Sequence, residues 1–229
     1  MLGPANQSQV CFGGPAPSEP PSWDNIPLRR VPAQARSRDK VARALAAADQ
    51  IVRTEGPEAV SLPHVAQRAG VSVGALYQYL PDREAIVGAL VWRYHERLES
   101  LLDQAIAAAR LEPPPEDPVG HMIDSVVRVY GDEESARALR GTQGTPALRE
   151  LSRAHKRRMA AKLAALLAAL GMAVPGQDAD LAAQVAFIAA DAVLHEAFAA
   201  PPARRPAVIA ELRRLVSSYL SAVQDPPAP

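Results

Sequence analysis

A chain of 229 residues with 25 Lys+Arg against 25 Asp+Glu carries no net charge, which disfavours a non-specific polyanion binder unless basic residues are concentrated locally. A single cysteine, Cys11, excludes a scaffold built on intrachain disulfides and fits a cytosolic, cytoplasmic setting. With 48% apolar and only 4% aromatic residues the chain can bury a real core, yet no uninterrupted apolar run reaches about 18 residues and the N-terminus lacks a basic segment followed by an apolar one, so neither export nor a membrane partner is expected.

Residues 1–34 hold seven prolines and little apolar periodicity, and are expected to form a flexible tail in which Trp23 and Ile26 stay exposed. The remainder is rich in Ala, Leu, Arg and Glu with no alternating run, which predicts an all-α fold of about nine helices. A first helix is expected over 38–55, with Val41, Leu45, Ala48 and Val52 on one stripe and Gly56-Pro57 as its stop. Ser61 caps a two-turn helix that Gly70 ends, and Ser72 caps another over 73–79 before Pro81-Asp82 break and recap the chain. A long helix follows over 83–110.

Two short helices joined at Gly70 form a helix-turn-helix, in which the second helix reads the major groove. Val73, Gly74 and Ala75 are small enough for close approach, Val73 and Ala75 suit thymine methyls, and Gln78 suits adenine. Tyr77 and Tyr79 offer hydroxyls to phosphates, although the ring of Tyr77 in particular also suits the domain core. Arg83 stands in the first turn of the long helix against the helix dipole, a cost that backbone phosphate would explain. Upstream, Arg29, Arg30, Arg36, Arg38, Lys40 and Arg43 face only Asp39, a basic patch suited to phosphates or a minor groove, or else a solvated basic run.

The stretch AGVSVGALYQYLPDREAIVGAL resembles the signature of the TetR family of bacterial transcriptional regulators, through Ala69-Gly70-Val71-Ser72, Gly74, Leu76-Tyr77, Tyr79, Asp82-Arg83-Glu84 and Ile86. It departs at Leu80, where the family commonly has Phe, and at Arg83, where it has Lys. The resemblance covers about 36–98. It implies that Ser61, Tyr77, Tyr79 and Arg83 hold the DNA backbone, that Val73, Gly74, Ala75 and Gln78 face bases, and that the C-terminal half is helical with a two-helix dimer interface.

Beyond Pro113-Pro114-Pro115, helices are expected at 118–130, 133–139, 146–170, 180–199 and 206–223, with Thr145-Pro146 opening the third of them. His121, Asp124, Tyr130, Phe187, Asp191, His195 and Glu196 are candidate cavity residues; Asp191 and His195, four apart, can meet each other or an effector. The bland alternative is a hydrogen-bonded pair at a surface or interface. Metal-ligand spacing and a nucleophile elbow are both missing, so no enzyme, metal or cofactor is expected. The last helix carries Val208, Leu212, Leu215, Tyr219 and Val223, and Leu212, Leu215, Val216 and Tyr219 are expected at the seam of a four-helix dimer bundle. Together these readings divide the chain into a tail (1–34), a three-helix helix-turn-helix DNA-binding domain (35–84) and a larger helical effector-binding and dimerisation domain (85–225). They predict a homodimeric, ligand-responsive repressor of a palindromic double-stranded DNA operator, released by a small apolar effector through motion of the long helix. A helical small-molecule carrier or enzyme without DNA binding is the alternative.

Overall fold

The computed structural model describes residues 27–111, 117–140, 145–172 and 179–224, and among these it contains nine α-helices and no strand. They are α1 (Ala35–Glu55), α2 (Leu62–Ala69), α3 (Val73–Tyr77), α4 (Arg83–Ala109), α5 (Pro118–Asp132), α6 (Glu134–Arg140), α7 (Pro146–Ala169), α8 (Ala179–Ala199) and α9 (Arg205–Gln224). A 3-10 turn, Pro57–Ala59, which the sequence reading did not include, joins α1 to α2.

Helix α1 starts three residues before the expected Arg38. The N–H groups of Ser37 and Arg38 already donate to the Gln34 carbonyl, at 2.9 and 3.0 Å, with no capping side chain involved. At the other extreme α3 stops at Tyr77 rather than Tyr79. There the Tyr79 N–H closes a tight bond to the Leu76 carbonyl at 2.9 Å, and the next residue, Leu80, is drawn fully into the core.

The chain from Pro27 to Gln34, expected to belong to the flexible tail, is instead docked. The Arg29 N–H donates to the Tyr79 carbonyl at 3.0 Å, Leu28 packs on the first core and Pro32 is buried. Apolar contact and a backbone bond offset the entropy that composition alone set against ordering. Trp23 and Ile26 lie outside the described residues.

Two cores run through the molecule. The first gathers α1, α2, α3 and the start of α4 around Leu45, Ile51, Leu76, Leu80 and Ile86, and takes in Leu139 and Leu148 from α6 and α7. The second lies among α4, α5, α7, α8 and α9 around Leu102, Met159, Leu166, Leu194 and Val216. Helix α4 contributes Ile86, Val87 and Leu90 to one and Leu98, Leu101 and Leu102 to the other, so one rigid element is shared by both.

Helix α8 has 21 residues and an 18-residue stretch of mean hydropathy 1.4, long and apolar enough by length and composition to cross a membrane, although the sequence offers no uninterrupted apolar span. Its alanines raise the mean while Asp191 interrupts the run. Its inner face, Ala182, Ala183 and Ala186, packs into the protomer; Leu181, Val185 and Ile188 point outward.

Candidate nucleic-acid interface and ligand cavity

The turn between α2 and α3 is built on Gly70, whose φ of +64° puts it in the left-handed region where a side chain costs about 1 kcal/mol. Its N–H closes α2 onto the Ala66 and Gln67 carbonyls, and Arg43 donates to the Ala69 carbonyl at 3.2 Å from across α1. Ser61 Oγ accepts from the His64 N–H at 3.4 Å and Ser72 Oγ from the Ala75 N–H at 3.2 Å, so both serines cap as expected and both remain exposed.

Only Leu76 anchors α3 in the core. Val73 is 43% and Tyr77 50% exposed, Gly74 and Gln78 are exposed, and Ala75 is half-buried. Gln78 lies just past the end of α3, as its C-cap. Tyr79 differs from Tyr77: its ring packs half-buried against the first core. Arg83 is drawn towards the 3-10 turn, donating to the Pro57 carbonyl at 3.0 Å with Glu58 at 3.4 Å.

Around this surface the basic residues spread along the docked segment and α1. Arg29 lies over the Tyr77 ring, 5.5 Å from its centroid, and Arg38 donates to the Pro32 carbonyl at 3.0 Å. Arg36 and Arg38 are exposed at the α1 N-terminus, where they oppose the helix dipole, and Lys40 is half-buried one turn on.

A cavity of about 460 Å³ occupies the second half, lined among others by Leu98, Leu102, Ile123, Met159 and Ala186. Of the residues the sequence proposed for it, Tyr130, Phe187 and Asp191 do line it. His195 stands behind that wall, its Nδ1 and the Tyr130 hydroxyl bonded at 3.0 Å, while Asp191 pairs with Lys156 at 3.4 Å. His121 and Asp124 face solvent instead. Helix α5 turns Met122, Ile123, Val126 and Val127 inward, which puts positions 121 and 124 on its outer side, and there Asp124 is ion-paired with Arg213.

The residues missed are a pair of stacked imidazoles. His95 of α4 and His155 of α7 lie face to face with centroids 3.7 Å apart and planes within 2°, both buried and both lining the cavity. His155 Nδ1 donates to Glu99 at 2.8 Å, and Arg158 Nε grips both Glu99 oxygens at 3.1 and 2.9 Å. Burial holds the His155 pKa below the usual histidine value of 6.5 despite that carboxylate. Burial pushes Glu99 up, but the donors His155 and Arg158 outweigh it and keep the carboxyl below its usual range. The two histidines lie sixty residues apart on different helices, so no spacing pattern announces them.

The four residues expected at a dimer seam divide between two environments. Leu212 and Val216 are 2% and 4% exposed, packed in the second core and lining the cavity, and Tyr219 packs half-buried beside them. Leu215 alone of the four points outward, at 44%, and the outward Leu181, Val185 and Ile188 of α8 were not foreseen.

A helix-turn-helix whose second helix stands clear of the core, joined by one long helix to a bundle around a cavity, defines a class of DNA-binding fold with an attached ligand-sized chamber. Residues 44–90 match the family described as bacterial regulatory proteins, tetR family, and residues 114–220 match the tetracyclin repressor-like C-terminal domain. The chain belongs to the TetR family of bacterial transcriptional regulators. It is 37% identical over 71 residues to the HTH-type transcriptional repressor KstR of Mycolicibacterium smegmatis, a match covering 31% of this chain and 35% of that protein. The match thus spans about a third of the curated relative's length. Among solved structures, a TetR-family transcriptional regulator from Streptomyces coelicolor is 25% identical with a TM-score of 0.59, covering 82% of this chain and 99% of that one. SmeT in complex with triclosan is 20% identical with a TM-score of 0.59, covering 80% and 90%, and shares the fold; SmeT is described as the repressor of the Stenotrophomonas maltophilia multidrug efflux pump SmeDEF.

Proposed function

We propose that the protein is a cytoplasmic transcriptional repressor that binds a palindromic operator as a homodimer and leaves it when a small effector fills the cavity. The observation that carries this reading is α4. Its first turn follows α3 after a break of five residues, and its middle, through Val91, Tyr94, His95, Leu98 and Leu102, forms one wall of the cavity. An occupant that favours a different placement of α4 therefore alters the placement of α3, and it shifts the equilibrium only by its differential affinity for the two forms.

At the operator, Val73, Gly74, Ala75 and Gln78 meet base edges while Ser61, Ser72, Tyr77, Arg36, Arg38 and Lys40 meet phosphates. Tyr79 and Arg83 serve mainly by fixing α3 and the start of α4, since one packs in the core and the other is held at the Pro57 carbonyl. Leu181, Val185 and Ile188 of α8 with Leu215 of α9 form the seam with a second copy. Gln184 and Glu196, exposed on the same helix, suit a protein partner better than lipid. KstR and SmeT are both repressors and SmeT forms a complex with triclosan, which supports repression and a largely apolar effector for this chain.

Fluorescence anisotropy on DNA flanking the gene tests this. Expected is binding that weakens steeply with salt and is lost in Tyr77→Ala, whose ring is half exposed and lies outside the first core. Tight small-molecule binding without any salt-dependent DNA affinity would support the carrier reading instead.

A further inference from the structure

The cavity is apolar in its depth and cationic at its mouth. Its charged lining groups are four cations, Arg137, Arg149, Arg153 and Lys156, against one carboxylate, Asp191. Three of the cations sit with Ser152 at positions 149, 152, 153 and 156 of α7, the spacing that places residues on one helix face, and all four of these residues line the cavity. Arg149, Arg153 and Lys156 are also exposed, so this face is where the cavity meets solvent.

Beside Arg153 a single carboxylate serves two guanidiniums. Arg153 lies 3.7 Å from Glu150, which also accepts from Arg157 at 2.8 Å, and Lys156 lies 3.4 Å from Asp191. Among the deeper polar groups, His155 is committed to Glu99, Tyr130 to His195, and the His95 ring stacks on His155. A charged head group gains little there and much at the mouth, where cations stay partly hydrated and pair without full desolvation.

We propose that the effector is an amphiphilic anion, its apolar body lying along Leu98, Met159 and Phe187 and its carboxylate meeting Arg149, Arg153 and Lys156. This rests on the effector reading above and narrows its chemical class. It adds a head group to what aromatic-poor composition suggests, namely an apolar ligand.

Calorimetric titration of the full chain with decanoate, decanol and decylammonium tests it, since the three share one body and differ in head charge. Decanoate is expected to bind about tenfold more tightly than decanol, as a charge-assisted contact implies, with decylammonium weakest. Arg153→Glu with Lys156→Glu, both at exposed sites, should erase that advantage and leave decanol within about twofold of its original affinity. Ala190→Phe, which narrows the cavity, should weaken all three. Equal affinities for decanoate and decanol, or an advantage that survives the double substitution, would overturn the anionic head while leaving the cavity reading in place. Binding unaffected by Ala190→Phe would mark surface adsorption and overturn the proposal as well. If none of the three binds the wild-type chain, the cavity reading falls with it.

Discussion

A Cβ built on Gly74 meets no atom within 4 Å, so packing inside the protomer does not require glycine there. Glycine inside a helix costs about 1 kcal/mol relative to alanine, and a groove that α3 must enter closely is the reason offered for bearing it. Gly74→Ala is therefore expected to raise the melting temperature by about 2–4 °C while weakening operator binding, read by thermal circular dichroism and anisotropy on the same preparation. Gly70→Ala should do the opposite to stability, losing about 1 kcal/mol, because of its positive φ. His155 yields a pH dependence. Its folded pKa lies below 6.5, so the unfolded chain takes up the proton first; the stability is fully present above pH 6.5 and is lost as pH falls through 6.5 towards the folded value. Glu99, also depressed, adds a second loss below its ordinary value of 4.5. Thermal melts at about pH 7.5 and about pH 5.5 should show a smaller drop for His155→Gln, which keeps a donor for Glu99 and does not titrate. At this scale the caps Ser61, Ser72 and Thr145 were legible, since a capping hydroxyl acts within three residues of itself. The imidazole stack was not, because it depends on how α4 and α7 cross.

Helix α9 marks where element-level reading stops. A stripe at positions 208, 212, 215, 219 and 223 identifies a helix with an apolar side, and the structure has that helix, but the stripe is wide enough to serve two neighbours. Leu212 and Val216 belong to the protomer's own core, whereas Leu215 looks outward with the α8 row, and no periodicity separates the two environments. Ile188→Asp together with Leu215→Glu should therefore shift sedimentation from dimer to monomer with little loss of helicity. Leu212→Glu, which buries an unpaired charge, should unfold the chain instead. A sedimentation profile unchanged by the exposed pair would place the seam elsewhere. The wide agreement of helix order with the sequence reading reflects Pro and Gly punctuation, which is local; the docking of 27–34 escaped it because that segment gains its order from contacts it does not itself encode.

At the scale of the molecule, the two halves are joined by more than α4. Ser135 of α6 donates to Asp49 of α1, and Thr145, at the start of α7, donates to Glu84 at 2.7 Å. Leu148 of α7 sits 3.4 Å from where a Gly88 side chain would begin. These ties cross from the cavity side to the reading side, and the proposed mechanism passes an effector's influence through them. Ser135→Ala is expected to retain operator and effector binding separately while reducing the factor by which one alters the other, within the roughly 5–150-fold range of such couplings. Anisotropy titrations with and without saturating effector measure that factor, and an unchanged value would remove Ser135 from the route. The all-α class and the two-part arrangement were visible in composition and motif; the wedge position of α6 was not, since a seven-residue helix carries too little pattern to say what it leans on.

The backbone bond between Arg29 and Tyr79 gives the segment leading into α1 a hold on the chain just past the end of the reading helix. Arg30 and Val31, just beyond that hold, are both exposed, which leaves their peptide bond open to a trypsin-like protease. One clip there would cut the leash and free Leu28 from the first core while leaving the second core whole, converting the chain into a form that still senses but grips its target loosely. Occupied operator should shield the same bond, so the rate of that single cleavage doubles as a gauge of promoter engagement.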